Sequence, residues 1–421
     1  MRNSKPPSVG VNPRICYQLE GRVDTLGGVA GRVAGHPHTL VRLISKGEVA
    51  LVTWRTDINS LHVLARTSRE RTPTADSAMD VSPSEWAYIG VAASCGFRLR
   101  AVRISGDGDT ILLHCLDKEP REINRATTIY EMSVIKLLVR IGRYSWLEDE
   151  GLRVEKMKSY WFNYQVFGLS FLGDVVVVGE FSKTSKGIIR VYRKALGSQS
   201  LRWTIQMLSF PVELDDTGLS GNFDISGDGK TIVVRLFTSD NPGAIITYRQ
   251  GVDGVFQWEA PLVPFESRIP DIFDGYQTAL SFDGTTLVTA MHSQHFHQFQ
   301  VFIFYRSPSH GWYRQQVIDN GSNFLKLFLS SSGNVLFLSQ FRHGLRIYSR
   351  LNANANFTEQ PEIYKFEGKL NIIQDIHMTE DASSFIIGVY DDLYEVEEDQ
   401  RSVGGAFVFR QSADCLTTTA D

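Results

Sequence analysis

Residues 225–234 read ISGDGKTIVV: an apolar residue, a serine, a tight Asp-Gly turn, and a run of β-branched side chains. Asp228-Gly229 supplies the positive φ that a short hairpin loop requires, and the run from Thr231 to Val234 is apolar enough to lie between two other layers. The phrase recurs. LISKGEVALV from Leu43, RISGDGDTILL from Arg103, LSFLGDVVVV from Leu169, LSFDGTTLVT from Leu280, LSSSGNVLFL from Leu329 and MTEDASSFII from Met378 repeat it, making seven copies. Anchored on Ser45, Ser105, Ser170, Ser226, Ser281, Ser330 and Thr379, they lie 49 to 65 residues apart. That interval suits one four-stranded blade of a β-propeller with loop insertions.

Two further landmarks follow most anchors. A strand ends in an aromatic and a basic or polar residue in IRVYRK (189–194), IITYRQ (245–250), FIFYRS (302–307), LRIYSR (345–350) and AFVFRQ (406–411). A second aromatic, Trp203, Trp258, Trp312 or Phe357, then opens another stretch. One unit is therefore four strands, and the expected fold is all-β, a seven-bladed β-propeller. Glu131 to Ile141 is the one stretch whose spacing also suits a helix. The last copy lacks its fourth strand, and residues 14–23 supply a candidate, so the N-terminal strand is expected to close the last blade and remove its exposed edge. The expected organisation is an extension at 1–13, one propeller domain at 14–411, and a flexible tail at 412–421.

The chain of 421 residues is 43% hydrophobic and 11% aromatic, which supports a large core and excludes disorder. Its net charge of −4 provides no global field for nucleic acid or anionic lipid. Tyr192-Arg193, Tyr248-Arg249 and Tyr305-Arg306 could suggest base stacking, but recurring once per unit they are expected to pack between blades, the arginine over an aromatic face. No nucleic-acid partner and no membrane insertion are expected: apolar runs are far shorter than the roughly 20 residues of a spanning helix. No signal sequence is apparent, so a cytoplasmic location is the default. Cys16, Cys95, Cys115 and Cys415 stand singly, without a CxxC pair, which argues against a disulfide scaffold, and read as buried or incidental thiols.

The phrase resembles the FG-GAP repeat of integrin-α-like and hyalin-like propellers, over about residues 100 to 410. The resemblance implies a surface-ligand or glycan role. It does not extend to calcium, because no copy offers DxDxDG; Ser105-Gly106-Asp107-Gly108-Asp109 is the nearest.

Chemistry is less marked than architecture. His292, His295 and His297 are weak metal candidates and lack a third or fourth ligand nearby. Asp215-Asp216, Asp391-Asp392 and Glu397-Glu398-Asp399 are neighbours that point to opposite sides of an extended chain. There is no GxSxG elbow, P-loop or GxGxxG, and no cofactor is expected. The function expected is a non-catalytic interaction module, with variable loops at 117–127, 180–186, 238–243, 292–298, 340–344 and 390–404 meeting a protein partner. Asp117, Lys118, Glu180, Lys183, Asp240, His295, Arg342, His343, Asp391 and Asp392 are its candidate contacts. The alternatives are a glycan- or small-ligand-binding surface protein, and a propeller hydrolase or lyase whose residues converge on the central channel. Convergent carboxylates, histidines or arginines in that channel would favour the enzyme, and one large exposed apolar patch a partner.

Overall fold

The computed structural model describes the strands below and several connections between them, among them 105–109, 170–174, 226–230, 251–255, 281–285, 330–334, 350–357 and 379–383; residues 1–16, 412–421 and most longer connections lie outside the described residues. Seven antiparallel sheets form. The first comprises Val41–Ile44, Val49–Trp54, Asp57–Arg66 and Trp86–Ser94. In the second, Arg98–Ile104, Thr110–Ile123 and Ala126–Gly142 pair in turn, and both Ser145–Asp149 and Lys156–Met157 pair with the third strand. The third contains Val166–Leu169, Val175–Glu180, Ile188–Lys194 and Trp203–Leu208; the fourth contains Gly218–Ile225, Thr231–Phe237, Ile245–Gln250 and Phe256–Trp258. The fifth runs Thr278–Leu280, Thr286–Ser293, Gln298–Ser307 and Gly311–Asp319, and the sixth Phe324–Leu329, Val335–Gln340, Gly344–Ser349 and Thr358–Glu359. Asn371–Met378, Ser384–Asp391 and Gly405–Gln411 make the seventh, whose outer strand is Tyr17–Val23 from the other end of the chain, Tyr17 opposite Gln411 and Val23 opposite Ala406.

The arrangement is a β-propeller. First strands of successive sheets touch from the second sheet to the seventh, and the seventh meets the first through Asn371–Met378 and Val41–Ile44. The apolar core has the same plan. Seven buried clusters each join two neighbouring sheets: Ile232 and Val234 pack towards the third sheet, whereas Val233 between them packs towards the fifth. Strand alternation sends successive side chains to opposite neighbours, which is why these strands read as continuously apolar. Leu43, Ala50 and Val52 of the first sheet meet Ile386 and Val408 of the seventh.

The repeated serine holds each turn. Ser226 Oγ donates to Asp228 Oδ1 at 2.7 Å and accepts from the Thr231 backbone N–H at 2.9 Å, while the Gly229 N–H closes on the Ser226 carbonyl at 2.9 Å. Ser105, Ser281 and Thr379 repeat the bond to an aspartate two residues on. The turn glycine serves two needs. At Gly284 φ is +64°, and a Cβ would come within 2.4 Å of Thr231 Oγ1 in the preceding sheet. In the seventh sheet Ala382 takes that place at φ 57°. Turns also bond to one another around the ring, through Gly106 N–H to the Phe171 carbonyl at 2.8 Å, Asp228 N–H to Phe282 at 2.8 Å, and Phe282 N–H to Ser331 at 2.7 Å.

Tyr192, Tyr248 and Tyr348 are buried in the clusters between sheets, and Arg193 and Arg350 lie over the Phe256 and Phe357 rings at 5.8 and 4.6 Å. In Tyr192-Arg193 the tyrosine is buried between sheets and the arginine lies over an aromatic face, whereas Arg306 of Tyr305-Arg306 pairs with Glu259 at 2.5 Å. Residues 131–141, with helix-compatible spacing, lie in the 17-residue strand Ala126–Gly142, where pairing on both edges overrides the local pattern. The reading of all four cysteines as incidental thiols is corrected for two: Cys95 and Cys115 form a disulfide joining the first sheet to the second.

Candidate active site in the central channel

The inner strands carry two kinds of position. Val102 and Ile104, or Phe223 and Ile225, are buried between sheets. The residues between them face the other way: Arg103 is exposed and Asp224 half-buried, at a depth where desolvation still disfavours their charged forms. Two residues before the anchor serine or threonine, the six sheets that share the full turn present Arg103, Gly168, Asp224, Ala279, Phe328 and His377 in order. Two residues further back, Gln277, Lys326 and Asp375 occupy the fifth, sixth and seventh sheets. The first sheet, whose turn is two residues tighter, contributes Arg42.

These groups are fixed by backbone and by one another. Arg42 forms a buried ion pair with Asp375 and donates to the Val102 carbonyl at 2.8 Å, linking the seventh, first and second sheets. Asp224 Oδ1 accepts the Ile225 N–H at 3.0 Å, and Oδ2 accepts the Leu280 N–H of the next sheet at 2.7 Å. Gln277 Oε1 accepts Leu327 N–H at 2.9 Å, and His377 Nδ1 accepts Leu43 N–H at 3.2 Å. Three side chains on inner strands therefore join one sheet to the following one.

The electrostatics follow from depth. Burial pushes the Asp224 carboxyl up to about 6, against the opposing pull of its two backbone donors and the Arg103 charge. Burial, with Arg42 second, brings His377 down to about 3, so the imidazole is neutral near neutral pH. Because Nδ1 accepts a hydrogen bond, the neutral ring carries its proton on Nε2. Arg103 and Lys326 are both lowered by burial; Arg42 lowers each further, and Asp375 opposes the shift in each. The charges of Arg42 and Asp375 act on Arg103, Lys326 and His377, and that of Arg103 acts on Asp224. At the turns Phe171 and Phe282 meet edge to face at 5.6 Å over Gly106 and Gly227, whose missing side chains make room for them.

Asp117 and Lys118 lie within the long strand Thr110–Ile123, paired with Met132 and Glu131, rather than in a loop. Glu180 and Asp391 are the last residues of their strands, and Lys183, Asp240, His295, Arg342, His343 and Asp392 fall outside the described residues. His292 lies in the strand Thr286–Ser293, whereas His297 is not described. Among the described residues no group of three or more His, Cys, Asp or Glu could hold a metal ion, and no helix is long and apolar enough to cross a membrane. Large exposed apolar side chains are spread over outer strands, such as Ile89 and Val91 on the first sheet and Ile205 and Met207 on the third.

No protein-family model and no curated protein matches the chain, so the FG-GAP resemblance gains no family support. Solved structures do match in fold. Hydrazine synthase from Kuenenia stuttgartiensis aligns with a TM-score of 0.51 at 12% identity, over 88% of this chain and all of the other. The periplasmic gluconolactonase of Pseudomonas aeruginosa aligns at 0.47 and 14% identity over 84% and 92%. A protein of Bacteroides fragilis provisionally named 6-phosphogluconolactonase aligns at 0.47 and 11% over 84% and 95%. Proteins named as enzymes stand among these neighbours, against the expected non-catalytic interaction module; at 11–14% identity the likeness itself shows the fold alone.

Proposed function

We propose that the chain is a propeller enzyme, a hydrolase or lyase that acts on a small polar molecule in the central channel, with Asp224 as the general acid–base group. The observation that carries this reading is the convergence of Arg103, Asp224, Lys326 and His377 from four different sheets on one water-accessible space. A carboxyl with a pKa near the working pH can both take and return a proton, and general acid–base catalysis of this kind contributes roughly 10²–10⁴-fold. Asp224 suits that task because its two backbone donors fix the carboxylate plane while burial raises its pKa. Neutral His377 can donate from Nε2 without adding charge.

The seven sheets are read as seven blades of one closed ring, with 17–23 completing the last. The Cys95–Cys115 disulfide favours work in an oxidising compartment over the cytoplasmic default. The test is turnover of a panel of lactones, esters, glycosides and β-eliminating acids by the full chain, followed by the pH dependence of kcat/KM for whichever is converted. A limb with an apparent pKa near 6 is expected, since burial places the Asp224 carboxyl at about that value. Turnover of none of these classes, or a flat profile from pH 5 to 8, would overturn the assignment.

A further inference from the structure

We propose that Arg103 and the Nε2–H of His377 form an oxyanion-binding site, so that the molecule processed in the channel carries a carboxylate or phosphate group. This rests on the channel being the functional site, and names the chemistry of what enters it.

Arg103 is held but not consumed. Its Nη1 donates to the Val102 carbonyl at a long 3.3 Å, and its guanidinium carbon lies 5.8 Å from the centre of the Phe167 ring, which steadies the group from one side. Other donors of the guanidinium fork therefore face the water-accessible channel. Arg42, by contrast, already serves Asp375 and the Val102 carbonyl, and through them ties the strand of His377 to the strand of Arg103. At His377 the Leu43 N–H fixes the tautomer and leaves Nε2 as a donor.

The charge balance points the same way. Arg42, Arg103 and Lys326 bring three positive charges, whereas Asp375 and Asp224 bring at most two negative ones, and Asp224 is partly protonated near pH 6. An anion beside Arg103 would offset the repulsion between Arg103 and Arg42 and replace part of the hydration that burial removes. At the same level Gly168 separates Arg103 from Asp224 around the ring, with the Ile225 side chain closing on it, where a Cβ would come within 3.2 Å, and Ala279 follows Asp224.

The experiment is binding to the full chain with its disulfide intact, by calorimetry and by the shift in melting temperature, using inorganic phosphate and propionate as probes and chloride at matched ionic strength as control. At least one probe is expected to bind and raise the melting temperature where chloride does not. Arg103→Gln is expected to weaken that binding at least 30-fold, Arg103→Lys to restore part of it, and His377→Gln to weaken it about tenfold. Preference for phosphate or for propionate separates the two sources of the anion. Equal effects of phosphate, propionate and chloride on the wild-type chain would overturn the proposal, as would unchanged affinity in a folded Arg103→Gln. The readout needs no turnover: conversion of an uncharged substrate without anion binding would overturn this inference alone, and anion binding without conversion of any substrate would overturn the catalytic reading alone.

Discussion

Two positions lie two residues apart on the same inner strands and behave in opposite ways. At the anchor, six sheets carry serine or threonine with the same acceptor pattern, satisfied within its own turn: Ser105, Ser170, Ser226, Ser281, Ser330 and Thr379 each accept the backbone N–H five residues on, at 2.9 to 3.0 Å. Two residues earlier the same sheets carry arginine, glycine, aspartate, alanine, phenylalanine and histidine. Repetition marks what the architecture demands of every sheet. Variety marks a place where each sheet contributes something different to one shared space.

The comparison can be broken or sharpened by substitution. The largest stability effect away from the channel is expected from reducing Cys95–Cys115, which closes a 20-residue separation between the first two sheets; the loss is about 3 kcal/mol, read as a lower melting temperature in reductant that Cys95→Ser/Cys115→Ser reproduces. Gly284→Ala should cost about 2–3 kcal/mol in denaturant unfolding, because positive φ and a 2.4 Å approach to Thr231 act together. Gly311→Ala should cost only about 1 kcal/mol, since φ is +70° there but nothing lies within 4 Å of the added carbon. Ala382→Gly should have the opposite sign, stabilising by up to about 1 kcal/mol as the strained turn takes the residue that its counterparts have.

The channel groups should separate by pH instead. His377 falls to about 3 in the folded chain from 6.5, so its stabilising effect is present above pH 6.5 and is lost as pH falls through that window. Asp224 rises from 3.8 to about 6, so its contribution is present below pH 3.8 and is lost as pH rises through 6. Between pH 4 and 6 the two slopes oppose each other. His377→Gln should therefore lower the melting temperature at pH 7, by leaving Leu43 N–H less well served, yet lose less of it than the wild type between pH 6.5 and 4. Parallel melting curves across that range would contradict the assignment.

How much of this was legible follows from the same contrast. The turns could be read because Ser, Asp and Gly recur for a local reason, and local chemistry needs no partner sheet. The channel could have been found in the same phrases, since Arg103 opens RISGDGDTILL and Asp224 and His377 directly precede Ile225 and Met378. A search for what repeats passes over a position whose residue changes every time. What was needed was the strand's period of two, counted back from each anchor. Two of the loop residues are placed differently for another reason: Asp117 and Lys118 read as loop residues because polar residues cluster there, yet a long hairpin keeps both in a strand. Cys95 and Cys115 had no signal at all, because sheet-to-sheet packing, not their spacing, brings them together.

One matched pair tests the central claim most directly: Asp224→Asn and Asp228→Asn, four residues apart on the fourth sheet, compared for kcat on the substrate found by the panel and for melting temperature. The account expects Asp224→Asn to lose at least about 100-fold in kcat while remaining folded, and Asp228→Asn to lose melting temperature while keeping kcat below its transition. Equal loss of kcat in both, or full activity in Asp224→Asn, would contradict it.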